Sequence, residues 1–144
     1  MPIAKATAPK GKRDDAVARF AAPATAPSRR RAERRGRIAE FFAAALLVAK
    51  GYRILARRLR GPYGEIDLIA ARGRRIAFVE VKQRRSVEEA AAAVSATQAG
   101  RLADAAERWL WRNPRYREYD VGLDAVLLGP RMWPRHVENA LNSW

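Results

Sequence analysis

The stretch GEIDLIAARGRRIAFVEVKQ, residues 64–83, decides the fold. Two apolar runs, residues 66–71 and 76–81, flank a turn that contains Gly73, the pattern of a β-hairpin. With Gly73 and Arg74 as a two-residue turn, Arg72 faces Arg75, Ala70 faces Ala77, Leu68 faces Val79 and Ile66 faces Val81. The last three pairs make one wholly apolar face. On the other face Ile69 meets Phe78, Asp67 meets Glu80 and Glu65 meets Lys82. A slip of one residue mixes the charged and apolar sets, so burial of one face selects this register.

The opposed pair Asp67 and Glu80 does not serve stability. Carboxylates about 5 Å apart repel by roughly 3 kcal/mol at an effective dielectric of about 20. Either one of them stays protonated or a cation lies between them. A hard divalent ion such as Mg2+ suits an all-oxygen pair, and Lys82, two residues beyond Glu80, stands on the same face. The bland reading makes Glu65 and Lys82 a cross-strand ion pair and leaves Asp67 and Glu80 facing solvent. It accounts for the first two residues and not for the second two.

Composition sets the frame. The 144 residues carry 29 Lys and Arg against 15 Asp and Glu, a net charge of +14, which favours a polyanionic partner such as nucleic acid. A basic protein from an Arg- and Ala-rich genome accounts for the charge equally well. A hydrophobic content of 49% predicts a folded body, and the absence of cysteine excludes disulfides and thiolate metal sites. No apolar run reaches the length of a membrane span, and residues 1–28 lack the apolar centre of a secretory signal, so the expected location is cytoplasmic, with no membrane partner. Rich in Ala, Pro and Thr, those 28 residues read as a disordered basic tail, and residues 29–144 as one domain.

Working outward from the hairpin, residues 29–50 predict a helix with a core stripe of Ile38, Phe41, Phe42, Ala45, Leu46 and Ala49, stopped by Gly51. Glu40 falls on a narrower face with Ala43, Ala44 and Leu47, and spacing alone favours an ion pair with Arg37 or another nearby arginine. Residues 52–58 predict a strand, 59–63 its connection to the hairpin, and 84–94 a short irregular or helical segment. A second helix is expected over residues 97–112, with Leu102, Ala105, Ala106, Trp109 and Leu110 facing the core and Asn113-Pro114 ending it. Residues 119–128 predict a buried strand parallel to one arm of the hairpin, and an edge strand is expected from about His136. The sum is an α/β fold, a mixed β-sheet flanked by helices in the order αβββαβ.

Other chemistry is thin. His136 is the sole histidine and reads as a surface or edge-strand residue, which removes histidine metal clusters and nucleophile–histidine–acid triads. Trp109 fits the helix core and Trp111 its partly exposed neighbour. Asp124 either completes a polar network near the site or faces a sheet edge.

The run GEIDLIA, then FVEVK, preceded by KGYRILARR and by Gly36-x(3)-Glu40 on a helix, resembles the YraN-like bacterial family. That family is grouped with the restriction endonuclease-like PD-(D/E)xK nucleases and is similar in layout to archaeal Holliday junction resolvases. The resemblance runs from about Gly36 to the C-terminus. It implies a restriction endonuclease-like core and an endonuclease that hydrolyses phosphodiester bonds in branched or structured DNA with Mg2+ or Mn2+. Asp67 and Glu80 then match the metal-binding acids, Lys82 the catalytic lysine, and Glu40 the helix glutamate that completes the acidic cluster. Arg58 stands where many members have Asn, Gln98 where many have Lys, and Gly122 where an Arg is common. The alternatives are a nuclease-fold module that binds nucleic acid without turnover, and a scaffold for a protein partner. Oligomeric state is open, a homodimer included.

Overall fold

A computed structural model describes residues 26–62, 64–84 and 96–142. The expected tail, up to residue 25, and most of the segment 84–94 lie outside the described residues. Helix α1 is Ala26–Ala49; strands follow at Arg53–Gly61 (β1), Gly64–Arg72 (β2) and Arg75–Gln83 (β3). Helix α2 (Ala96–Arg112) and a 3-10 turn at Pro114–Tyr116 lead to β4 (Asp120–Gly129) and β5 (Met132–Val137). The five strands form one sheet in the order β1-β2-β3-β4-β5, antiparallel except for the parallel pair β3 and β4. This is the α/β architecture of a restriction endonuclease-like core, with a helix on each side of a mixed sheet.

The hairpin adopts the expected register, from Arg72 opposite Arg75 to Leu68 opposite Val79. The pairing of β2 with β3 ends there, among the described residues. Leu68, Ala70, Ala77 and Val79 pack towards α1 with Val126 and Leu128. Ile66, expected on that same face, instead joins Ile69, Ile76 and Phe78 against Leu102 and Ala106 of α2. The strict alternation of sides therefore breaks at Asp67. The cause is local: β2 leaves β3 at this residue, and the facing strand β1 carries Arg58 with a φ of 47°, a backbone conformation that interrupts a regular strand.

Three further expectations are corrected. The stripe predicted as the core face of α1 points mostly outward: Ile38, Phe41, Phe42, Ala45 and Ala49 are exposed, and of its six residues Leu46 alone packs, half-buried, against the core. The buried face is the narrow one, Ala39, Ala43, Ala44 and Leu47. Alanines let the helix backbone approach a sheet face already filled by Leu68, Val79 and Val126, where two phenylalanine rings would not fit. Strand β1 extends to Gly61, because Leu59 pairs with Ile66 and Arg60 with Glu65, residues expected in a connection. Strand β5 begins at Met132, four residues before the expected start, and pairs with β4. The predicted stripe of α2, by contrast, does face the core, with Leu102 and Ala106 buried and Ala105, Trp109 and Leu110 packed beside them. Neither described helix is long and apolar enough to cross a membrane.

Candidate metal centre

The break in the hairpin builds the site. A hairpin with this register would have the Val81 amide donate to the carbonyl of Ile66. Here it donates instead to Oδ2 of Asp67 at 2.8 Å. The carboxylate thus stands in for a ladder acceptor where the strands part. Burial and the nearby charge of Glu80 push the Asp67 carboxyl up to about 7, against the opposing pull of the Val81 amide. The crowding of two acids predicted from register is therefore present, although the two residues are not a paired position of the ladder.

Glu80 reaches along its own strand. Its Oε1 lies 2.9 Å from Nζ of Lys82. Lys82 is 8% exposed and, with Asp124, one of two buried charged residues among those described. Residues i and i+2 of a strand share a face, so FVEVK delivers an ammonium and a carboxylate to one place. The cross-strand pair of Glu65 with Lys82 does not form; Glu65 is exposed and takes Arg60 at 3.3 Å.

Glu40 enters from the buried face of α1. Its Oε2 accepts a hydrogen bond from Nε of Arg58, so its ion-pair partner comes from β1 and not from Arg37 of its own helix. Glu40, Glu65 and Asp67 all lie close enough for their charges to raise the pKa of the Arg58 guanidinium; the hydrogen bond that Arg58 donates to Glu40 does so most, and burial opposes it. Tethering Glu40 to β1 also fixes which face of α1 meets the sheet. Upstream, Arg29, Arg30, Arg31, Arg34, Arg35 and Arg37 are exposed and give the start of the helix a strongly basic surface.

The donor set suits a magnesium-like ion in one respect. Asp67 and Glu80 offer carboxylate oxygens in a half-buried setting, and Mg2+ is held by one or two carboxylates while keeping several waters. Among the described residues no three or more His, Cys, Asp and Glu are grouped so as to hold an ion. Asp67 and Glu80 are the two acids such an ion would meet, and Glu40 is engaged by Arg58.

A second polar cluster centres on Asp124, for which a polar network was one of two expectations, with partners the sequence did not identify. Asp124, fully buried on β4, receives both Nη1 and Nη2 of Arg75 at 2.8 Å, Nε2 of His136 at 2.7 Å and the amide of Asn139 at 2.9 Å. Burial alone would raise this carboxyl, yet those donors outweigh it and hold it down to about 2. Nδ1 of His136 lies 2.6 Å from Nζ of Lys50. An ammonium only donates, so Nδ1 accepts and Nε2–H is the donor to Asp124. His136 lies on the edge strand β5, one of its two expected positions, but its side chain is 2% exposed and belongs to this network, which corrects the surface alternative. Asp124 neither joins Asp67 and Glu80 nor faces a free edge. Gly122 explains itself in this setting: a Cβ there would sit 2.2 Å from Nη2 of Arg75 and 2.8 Å from Oδ1 of Asp124. The space of a side chain at position 122 is taken by the Arg75 guanidinium. The available signal was that pairing of Gly122 with a buried Asp two residues on. Gln98 is exposed in the first turn of α2.

With this geometry in hand, the chain can be set beside known proteins. The family described as "Uncharacterised protein family UPF0102" matches residues 39–128, which include Glu40, Asp67, Glu80 and Lys82. The chain is 50% identical over 127 residues to a UPF0102 protein of Rhodopseudomonas palustris (strain BisB18), covering 88% of this chain and 94% of that protein. It is 50% identical over 118 residues to a UPF0102 protein of Bradyrhizobium sp. (strain BTAi1 / ATCC BAA-1182), covering 82% and 87%. A UPF0102 protein of Nitrobacter winogradskyi is 51% identical over 108 residues, 75% of this chain and 92% of that protein.

Proposed function

Because the chain belongs to the UPF0102 family, the YraN-like group that its GEID and FVEVK motifs resemble, we propose that it is a Mg2+- or Mn2+-dependent endonuclease of the PD-(D/E)xK type, acting in the cytoplasm on branched or otherwise structured DNA. One observation carries this reading. Asp67 is lodged in the parted β2–β3 ladder beside Glu80, and the buried ammonium of Lys82 is 2.9 Å from Glu80. Two crowded acids and a buried lysine in a break of the sheet cost stability, so their placement calls for a cation and a use for it.

In this reading Asp67 and Glu80 hold the divalent ion, and Glu40 assists as a further ligand or through water. The ion would lower the pKa of a bound water and polarise a phosphoryl oxygen. Lys82 orients the attacking water and stabilises the negative charge that develops on the phosphate. The Val81 amide keeps Asp67 in place throughout. The arginines at the start of α1 track the sugar–phosphate backbone, with no sequence preference of their own. Purified protein is expected to cleave a DNA substrate with Mg2+ or Mn2+, and Asp67→Ala and Lys82→Ala to lose that cleavage. Full activity in both variants would contradict the assignment.

A second reading, a nuclease-fold module that binds nucleic acid without turnover, is favoured by the engagement of Glu40 with Arg58 and by the lack of a three-acid group among the described residues. It predicts salt-sensitive DNA binding that survives substitution of Asp67 and Glu80, with no divalent ion bound at millimolar concentration.

A further inference from the structure

Arg58 occupies a position that its backbone does not favour. It lies on β1 between Arg57, which pairs with Leu68, and Leu59, which pairs with Ile66, and is therefore set against Asp67. Its φ of 47° is in the left-handed region, where Asn is well tolerated and a long side chain is disfavoured. The side chain then turns under α1, with Nη2 3.8 Å from where a Cβ on Gly36 would be, and its Nε is donated to Glu40. The pair is largely screened from solvent, with side-chain exposures of 29% for Arg58 and 16% for Glu40. A residue that strains its strand to place a cation among Glu40, Asp67 and Glu65 is there for its charge.

We propose that Arg58 is a resident countercation of the acidic site: it competes with the divalent ion, and Glu40 becomes a metal ligand only when the guanidinium is withdrawn. The inference rests on the metal-site reading of Asp67 and Glu80 given above, and adds what controls that site. In the ion-free protein Arg58 neutralises Glu40, the acid nearest its Nε. A divalent ion held by Asp67 and Glu80 then meets the positive charge of Arg58, which lies near enough to Asp67 to feel its carboxylate. Repulsion between a divalent and a univalent charge about 6 Å apart weakens binding roughly tenfold even at the dielectric of water. This chain accordingly holds its ion more weakly than one with a neutral residue at position 58, and through two carboxylates instead of three.

Calorimetric titration of Mn2+ into the full chain tests the proposal without recourse to activity. The variants are Arg58→Asn, Arg58→Lys, Glu40→Gln and the double variant Arg58→Asn/Glu40→Gln. Asn accepts the positive φ, so Arg58→Asn is expected to keep the far-ultraviolet circular dichroism of the wild type. It is expected to bind Mn2+ about tenfold more tightly than wild type, and Arg58→Lys, which keeps the charge, to stay near wild type. Glu40→Gln should cost more affinity in the Arg58→Asn background than in wild type, because only there does Glu40 reach the ion. Equal affinities for wild type and Arg58→Asn, or an equal loss from Glu40→Gln in both backgrounds, would overturn the role of Arg58 and leave the metal site standing. No Mn2+ binding by either wild type or Arg58→Asn at millimolar concentration would overturn both.

Discussion

Oδ2 of Asp67 accepts the amide of Val81 at 2.8 Å, so a side chain from one arm of the hairpin completes the hydrogen bonding of the other. The Val81 amide would otherwise be an unsatisfied donor at the parting of two strands, which is costly in a protein interior. Asp67 therefore has two employments, one as a structural acceptor and one as an acid beside Glu80. The two make opposite demands on its charge, and several measurements can separate them.

The first concerns pH. The Asp67 carboxyl is raised to about 7, above its ordinary unfolded value near 4. Between those two values the folded, ion-free protein holds a proton that the unfolded chain has lost. Stability must therefore fall as pH rises through that window, and level off above about 7. Thermal melts in EDTA from pH 5 to 8 should show this decline for wild type and a flatter profile for Asp67→Asn. Superimposable profiles for the two proteins would contradict the crowding of Asp67 by burial and Glu80.

Lys82 should matter to the reaction more than to the fold. Its ammonium touches Glu80 at 2.9 Å, and Lys82→Gln keeps a donor on a slightly shorter side chain while removing the charge. Loss of a group that stabilises charge developing in the transition state costs about 10²–10³-fold in rate. A comparable loss in cleavage, with little change in the affinity for DNA, is the expected result of single-turnover kinetics. A rate within a few-fold of wild type would exclude Lys82 from the chemistry.

Asp124 should behave in the opposite way. It anchors Arg75, His136 and Asn139, and its removal leaves the half-buried Arg75 guanidinium without its ion-pair partner. Breaking a buried pair from one side typically costs about 3–5 kcal/mol, so urea unfolding of Asp124→Ala should show a loss of that order. The lowered pKa gives the acid limb. With the folded value held to about 2, the contribution of Asp124 is present above pH 4 and lost as pH falls from there towards 2. An Asp124→Ala protein with wild-type stability would mean that the network is not formed.

The orientation of α1 can be checked by exchanging the demands on its two faces. Phe41 and Phe42 are 58% and 51% exposed, while Ala43 is fully buried. Phe42→Ser should change stability by no more than about 0.5 kcal/mol, as for a surface position. Ala43→Leu should cost about 1–3 kcal/mol through overpacking. The reverse order would restore the stripe first read from the sequence.

These contrasts show where sequence reading succeeds and where it stops. The hairpin register was legible because alternation in residues 66–71 and 76–81 and the turn at Gly73 point to a single pairing. The side of the sheet taken by Ile66 was not, because alternation assumes a continuous ladder and the ladder ends at Leu68 and Val79. The face of α1 was misread because hydrophobicity ranks phenylalanine above alanine, whereas closeness to a filled sheet ranks them the other way. Among the acids, the crowding of Asp67 by Glu80 was legible because it places charge where charge makes no structural sense. The partner of Glu40 was not, since an arginine in a left-handed strand position leaves no periodic signal. The Asp124 network was hidden for a similar reason: its members come from four separate segments, at residues 50–52, Arg75, residues 122–124 and residues 136–139.

The central claim is that Asp67 and Glu80 form a divalent-metal site. Crystals soaked in millimolar Mn2+ and measured for anomalous scattering test it most directly. The expected result is a peak within about 2.0–2.3 Å of an oxygen of each carboxylate, the range for magnesium- and manganese-like ions. An absence of any peak at these two residues under those conditions, with both carboxylates well ordered, would contradict the account.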